Sequence, residues 1–498
     1  MHETPVGRVT VWTWLIATSF AAAHPALAQG NGIQGGVPTS VVPNVKTGGS
    51  SNIHLVAHIP LGSFFRTADG DLEQEPSRPY AYVAQQRERA GFTIIDLHDL
   101  KNVKVLYRWH IENVELHQGA GGLRPKNFKL NGRYYVALCF QFPQGTPDGD
   151  LGAIIFDVTG LPDTTKIKEV ARIHNPDLPG GFHNLFPYKH SDGRVLLFTT
   201  TSGPQANVYD MDKLLHGDKD QGYIGKVPVP PHVRVYDVFP NFTGRGVGSA
   251  LPGTTNLPPG GGYHDFYVGY DPATRQDKFY GPGNGGFYIY DVTHIGSEEP
   301  KLLTSIVGAA GINNGHTFTP TPDGKYGIVE VEYQWAPLRI FDLQPGLEGK
   351  VQAVTQPVSV WNFDWNDLPH NHEVRWPYVF VSGYEDGLEV FNMQDPAHPR
   401  TIAWYYTCEC THQTGFGGIP DFVGHSIYNG ADGIMVRNSD GLILITDLNT
   451  GAWFFKLDGF NGWNGHDWAM PNISSAQDWD NGPDGAQKPA PAPGQLAR

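Results

Sequence analysis

Five histidines stand at matching places in this chain. They are His183 in GGFHNLFPY, His264 in GGGYHDFYV, His316 in NNGHTFTPT, His372 in LPHNHEVRW and His425 in FVGHSIYNG. Each lies just ahead of an apolar run and 20 to 27 residues before an acidic or amide turn residue that recurs along the chain. Neutral imidazole is the commonest protein metal ligand. Three or four imidazoles without thiolates suit iron, copper, manganese or zinc, and geometry selects among them. Four such rings with open positions suit a redox ion, whereas three plus water suit a Lewis acid. These five residues are therefore the candidate ligands of a transition metal.

Other polar residues fall near the same positions. Asp265 and Glu373 directly follow two of the histidines. On an extended strand they point away from their own neighbour, yet they can orient an adjacent ring from behind. Glu330 and Glu332, in GIVEVEYQW, share a facing, and Glu332 is taken as a further supporting carboxylate. His370 follows Pro369 and reads as a loop residue. Counting back from the Asn131-Gly132 turn places Arg124 where the second unit lacks a histidine. Its fixed fork suits an anionic group on a substrate, with a surface ion pair as the alternative.

For such distant residues to meet, the elements carrying them must repeat around an axis. The chain contains seven copies of one unit: a glycine, an alternating apolar strand, then an acidic or amide residue opening a polar turn. The copies end on Asp96, Asp157, Asp210, Asp291, Asp342, Asn392 and Asp447, spaced 50 to 81 residues apart. A propeller blade takes roughly 40–50 residues, so each interval holds one blade plus loops. Asn392 fills the place as well as aspartate does, so these residues are expected to cap turns rather than to supply charge. Four short β-branched and aromatic runs per unit predict an all-β, seven-bladed β-propeller with four-stranded blades. The run from Ile53 to His58 alternates like a strand and is expected to complete the last blade. The innermost strands of a propeller line its central channel, which would bring the histidines to one end of one axis.

The repeat YAYVAQQRERAGFTIIDLHDL, and again YVFVSGYEDGLEVFNMQDPAHP, resembles the LVIVD-repeat family of secreted β-propellers. The likeness extends over most of the chain between residues 53 and 459. It implies the fold and an exported location, and carries no catalytic residues with it.

Residues 1–28 carry a basic end at Arg8, an apolar run over 9–23 and Ala26-Leu27-Ala28 before Gln29, the pattern of a signal peptide. Residues 29–52 are expected to be a disordered linker, 53–465 the propeller, and 466–498 a polar, largely disordered tail. The apolar run is short for a membrane span, and no later segment is apolar enough for one, so the mature protein is expected to be periplasmic or secreted. Insertions are expected at residues 240–262 and 411–418. The net charge of −15 argues against a nucleic-acid partner, which needs clustered Lys and Arg. Cys139 lies in an apolar strand and is expected to be buried. Cys408 and Cys410 form either a small-ring disulfide, a ligand pair or two free thiols. No P-loop, nucleophile elbow, HExxH or haem-attachment motif is present. The reading that follows is a metal-dependent oxidoreductase acting on a small molecule. A metal-dependent lyase and a non-catalytic binding propeller are the alternatives.

Overall fold

The computed structural model describes residues 48–482, apart from 62–65, 87–88, 118–119, 232, 237–247, 252–261, 313, 333–335, 365–368, 408–429 and 466–475. The expected signal peptide, the Cys408/Cys410 pair, the 411–418 insertion and His425 lie outside the described residues.

Seven antiparallel sheets follow one another along the chain, each with four strands stepping outward. Blade 1 runs from Thr67–Leu72 to Lys104–His110, and blade 2 from Ala120–Leu130 to Lys168–His174. Blades 3, 4, 5 and 6 begin with Leu185–Lys189, Tyr267–Asp271, Thr317–Pro320 and Asn371–Arg375. Blade 7 takes three strands from the end of the chain and its outer strand, Ile53–Ile59, from the beginning, paired with Gly451–Leu457. This is the seven-bladed propeller expected, with the ring closed by the N-terminal strand. Closure of this kind removes free sheet edges.

There is no single core. Apolar side chains fill the wedge between each pair of neighbouring blades, as where Phe92 of blade 1 meets Phe156 of blade 2 at 4.9 Å between ring centroids. Leu72, Val83 and Ile95 of blade 1 likewise pack on Leu442, Leu444 and Phe454 of blade 7. A strand covered on both faces is apolar almost continuously. That is why YYVALCF lacks a polar alternation, and why Cys139 within it is fully buried.

The recurring acidic or amide residues are all turn caps. The side-chain oxygens of Asp96, Asp157, Asp210, Asp291, Asp342, Asn392 and Asp447 each accept the backbone N–H two residues on, at 2.8 to 3.0 Å. The glycine opening the same strand has a separate cause. A side chain at Gly91 or Gly286 would run into the carbonyl of Trp109 or Ile306 on the outer strand.

Two segments differ from expectation. Gly48–Gly49, within the expected linker, adds a short strand to blade 6 against Tyr405 and Tyr406. Residues 476–482, within the expected tail, lie against the propeller, with Trp479 on Phe128 and Asp480 paired with Lys129 at 2.7 Å. Low apolar content hid both, because each is held by a few specific contacts rather than by a patterned face. The insertion after blade 3 contributes a hairpin, Val233–Tyr236 with Gly248–Leu251. Among the described residues no helix is long and apolar enough to cross a membrane.

The cap reading has a direct test. Asp342→Asn should leave stability unchanged, because the amide oxygen still caps Gln344. Asp342→Ala should cost about 1 kcal/mol, read by chemical denaturation.

Candidate metal centre

Histidines from four consecutive blades meet at one mouth of the channel, in the row His183, His264, His316, His370. Ring centroids are 4.2, 4.1 and 4.8 Å apart along it. Each histidine sits just before the first strand of its blade, pinned by its main-chain N–H to the second strand. The acceptors are Thr200 Oγ1 for His183 and the carbonyls of Pro282, Glu330 and Ser382 for the other three.

Three of the expected ligands, His183, His264 and His316, are therefore brought together. His372 is not among them, and the blade 6 ring comes from His370. Strand register gives the reason. Asn371 pairs with Ser382 as Asn184 would with Thr200 and as Thr317 does with Glu330. The residues preceding these, His370, His183 and His316, are thus equivalent. His372 takes the next inward-packed place, held by Leu185, Phe266 and Phe318 in the blades before it. Like them it is fully buried, and neither ring nitrogen makes a well-formed hydrogen bond, the Ile328 backbone offering only a poorly aligned contact. Burial, offset in part by the Ile328 backbone, lowers its pKa to about 3.

The orientation of the four rings is the informative feature. Each Nδ1 faces an oxygen acceptor: Gln141 Oε1 for His183 at 3.0 Å, Asp265 Oδ1 for His264 at 3.2 Å, Glu330 Oε2 for His316 at 2.5 Å, and the Asp432 carbonyl for His370 at 2.6 Å. Carbonyl oxygens and ionised carboxylates can only accept, which places the ring proton on Nδ1 of His183, His264 and His370 and leaves their Nε2 lone pairs free; His316 matches them once Glu330 is ionised. This is the arrangement that holds metal-binding imidazoles. Burial, then the neighbouring His264, keeps both His183 and His316 well below the ordinary histidine pKa, so both are neutral. His316 Nε2 is buried without a hydrogen bond.

Carboxylates complete the row. Glu332 Oε2 lies 3.4 Å from His316 Nε2, and its Oε1 lies 3.9 Å from His370 Nε2. The Tyr384 hydroxyl donates to Glu332 at 2.7 Å. Both Glu332 and Tyr384 have left-handed backbones, φ 49° and 35°, a strain tolerated where surrounding structure fixes a side chain's aim. Asp432 Oδ1 is 3.6 Å from His370 Nε2, and burial raises this carboxyl to about 6. Burial, then Glu332, pushes Glu330 well above the usual range. A cation on His316 would favour the carboxylate and reverse that shift.

Directly beneath the rings lies a polar floor built from the residues that follow the histidines. Arg124 donates to Asp69 Oδ2 at 2.8 Å and to Asp265 Oδ2 at 2.5 Å. The Asn371 amide accepts from the same guanidinium at 2.8 and 2.9 Å while donating to Asp265 and Thr317. Asn184 donates to Asp265 Oδ1 at 2.9 Å. Burial alone would raise the Asp265 carboxyl, but Arg124, with His264 and His316, holds it well below the usual range. Arg124 thus reaches the channel as expected, but both terminal nitrogens are engaged by the floor. Its expected role as a substrate anchor gives way to that of a fixed counter-ion. Asp265 does support a ring, but it is that of His264 directly before it, from which an extended strand was expected to turn it away. Glu373 does not reach the rings; it pairs with Arg375 at 2.9 Å and lines a small cavity below the floor.

Sequence reasoning missed Asp69, Asp432 and Tyr384. The first two had a signal. Ala68-Asp69-Gly70 and Ala431-Asp432-Gly433 repeat one tripeptide in blades 1 and 7. In both, a break in strand register falls at the aspartate, and a third break precedes Pro125 beside Arg124. Bulges of this kind re-aim a side chain. The three blades for which no histidine is described use them to point charged groups at the axis.

No protein-family profile matches the chain, and no curated protein is significantly similar to it.

Two outcomes follow from this geometry. His372→Phe, matching Phe266 and Phe318, should raise stability by about 1–2 kcal/mol by removing unpaired buried nitrogens. The native His372 ring stays neutral down to about pH 3, whereas an unfolded histidine takes a proton near pH 6.5. Wild type should therefore lose stability relative to the phenylalanine variant as pH falls through that window, measured by urea unfolding at several pH values. Separately, Arg124→Met strands two buried carboxylates and should cost about 3–5 kcal/mol, read by the same unfolding assay.

Proposed function

We propose that the protein is an exported metal-dependent oxidoreductase acting on a small molecule at the histidine-lined mouth of the propeller. The observation that carries this reading is the shared orientation of the four rings: every Nδ1 faces an oxygen, with the other nitrogen left for a ligand. Histidines that merely fill a polar channel have no need of one common orientation. The donor set fits a first-row transition ion, since imidazole with carboxylate suits iron, copper, manganese and zinc alike. Such an ion, when bound, supplies a redox couple or a Lewis acid, and neutral imidazoles leave its charge undiminished.

The chain's own residues do the rest. His264, His316 and His370 present their Nε2 atoms to the site. Glu332 sits between two of them, with a side chain 23% exposed, and the Tyr384 hydroxyl fixes one of its oxygens. Glu330 and Asp432 set the rings from behind. The floor balances charge, with Arg124 and Lys126 against Asp69 and Asp265. Export is supported by the N-terminal pattern of charge, apolar run and small residues. The LVIVD-like repeats favour the same secreted propeller class.

The test is elemental analysis of the purified protein, with oxygen uptake measured on candidate small molecules. His264→Ala and His316→Ala should each lower the metal content, and Glu330→Gln, acting through His316, should weaken affinity about 10–100-fold. Metal content unchanged in both histidine variants would rule the reading out and leave a binding propeller in its place.

A further inference from the structure

The histidines form a row rather than a ring, and the row is too long for one ion. Imidazole nitrogens bound to a single ion at about 2.0–2.1 Å lie within about 4.2 Å of one another, whatever the geometry. Among the described residues, His183 shares a ligand group within 4.8 Å only with His264 and Asp265. His370 shares one only with Asp265 and His316. No group contains both ends of the row. His264 and His316, in the middle, share a third group with Glu332.

Asp265 occurs in both end groups. Its two oxygens face different histidines, Oδ1 lying 3.2 Å from His264 Nδ1 and Oδ2 3.9 Å from His316 Nε2. The floor fixes this carboxylate in place through Arg124, Asn184 and Asn371. With Oδ1 accepting from Asn184 and His264 and Oδ2 from Arg124 and Asn371, the carboxylate steadies the rings from behind rather than ligating. Asp265, Glu332 and Asp432 all approach ring nitrogens.

We propose that this mouth holds two divalent transition-metal ions, one at His316 and His370 beside Glu332, the other at His183 and His264. The Asp265 carboxylate lies between them. The inference rests on the metal-centre reading above and adds the number of ions and the division of ligands. Paired ions about 3.5–4 Å apart can grip two oxygens of one substrate, or of a substrate and a water. The substrate class that fits is a small oxygen-bearing molecule able to bridge two cations.

The experiment uses the full mature chain, freed of metal and reloaded with Cu(II), followed by metal analysis and electron paramagnetic resonance. Two equivalents per chain are expected, with the integrated spin well below two because neighbouring ions couple. His183→Ala and His370→Ala should each bind one equivalent and show the full signal of an isolated Cu(II). His183→Gln, which keeps a polar side chain beside Gln141, serves if the alanine variant fails to fold. One equivalent in wild type, or two with uncoupled spins, overturns the two-ion assignment and leaves the metal-centre reading standing. No bound metal overturns both.

Discussion

A buried guanidinium at the centre of the ring ties the molecule together. Arg124 comes from blade 2, its partners Asp69 and Asp265 from blades 1 and 4, and Asn371 from blade 6. Asn184 of blade 3 and Thr317 of blade 5 join through Asp265 and Asn371. The seventh blade enters where the Asp432 carbonyl meets His370. Burying charge is costly unless every member is paired and hydrogen-bonded. Here one cation satisfies carboxylates from two sides of the axis, so the blades must keep their relative positions for the charge to remain paired. Apolar wedges hold each blade to its neighbours, whereas this knot reaches across the ring.

The knot also makes the histidine row usable. Neutral, desolvated imidazoles need fixed acceptors behind them and a charge-balanced layer below. The floor supplies the second, and Gln141, Glu330, Asp265 and the Asp432 backbone supply the first. Asp265 belongs to both systems. It anchors Arg124 through one oxygen and meets His264 through the other, so the stability of the ring and the chemistry of its mouth share one carboxylate. Evolution of the mouth is constrained accordingly. A change at the mouth that removed Asp265 would also leave a buried cation without one of its two carboxylates.

The blades split into two kinds of contributor. Blades 3 to 6 reach the axis with a histidine just ahead of a regular strand. Blades 7, 1 and 2 reach it through a break in register that turns Asp432, Asp69 and Arg124 inward. Repetition gives a propeller near-equivalent positions, and the bulge is the device by which some of them present a different chemistry at the same radius. Asn371 and His372 illustrate how fine this control is. Adjacent residues on one strand serve the floor and the inter-blade packing, and the preceding residue serves the histidine row at the mouth.

Much of this was legible in the sequence for a simple reason: blade number, turn caps, ring closure and the recurrence of histidine are all periodic, and periodicity survives without coordinates. The seven caps needed only a strand end and an oxygen two residues from a free N–H. The convergence of His183, His264 and His316 followed once the repeat was counted. What the sequence left open were facts of register and of direction. His370 and His372 are two residues apart at the start of the same blade, so pattern alone cannot say which stands at the mouth and which between blades, and Pro369 pointed the wrong way. Arg124 could be placed at the axis, but its engagement with Asp69 and Asp265 depends on blades that are far apart along the chain. The tertiary structure decided these because a closed ring brings every first strand to one axis, where a shift of two residues exchanges a mouth side chain for a packing one.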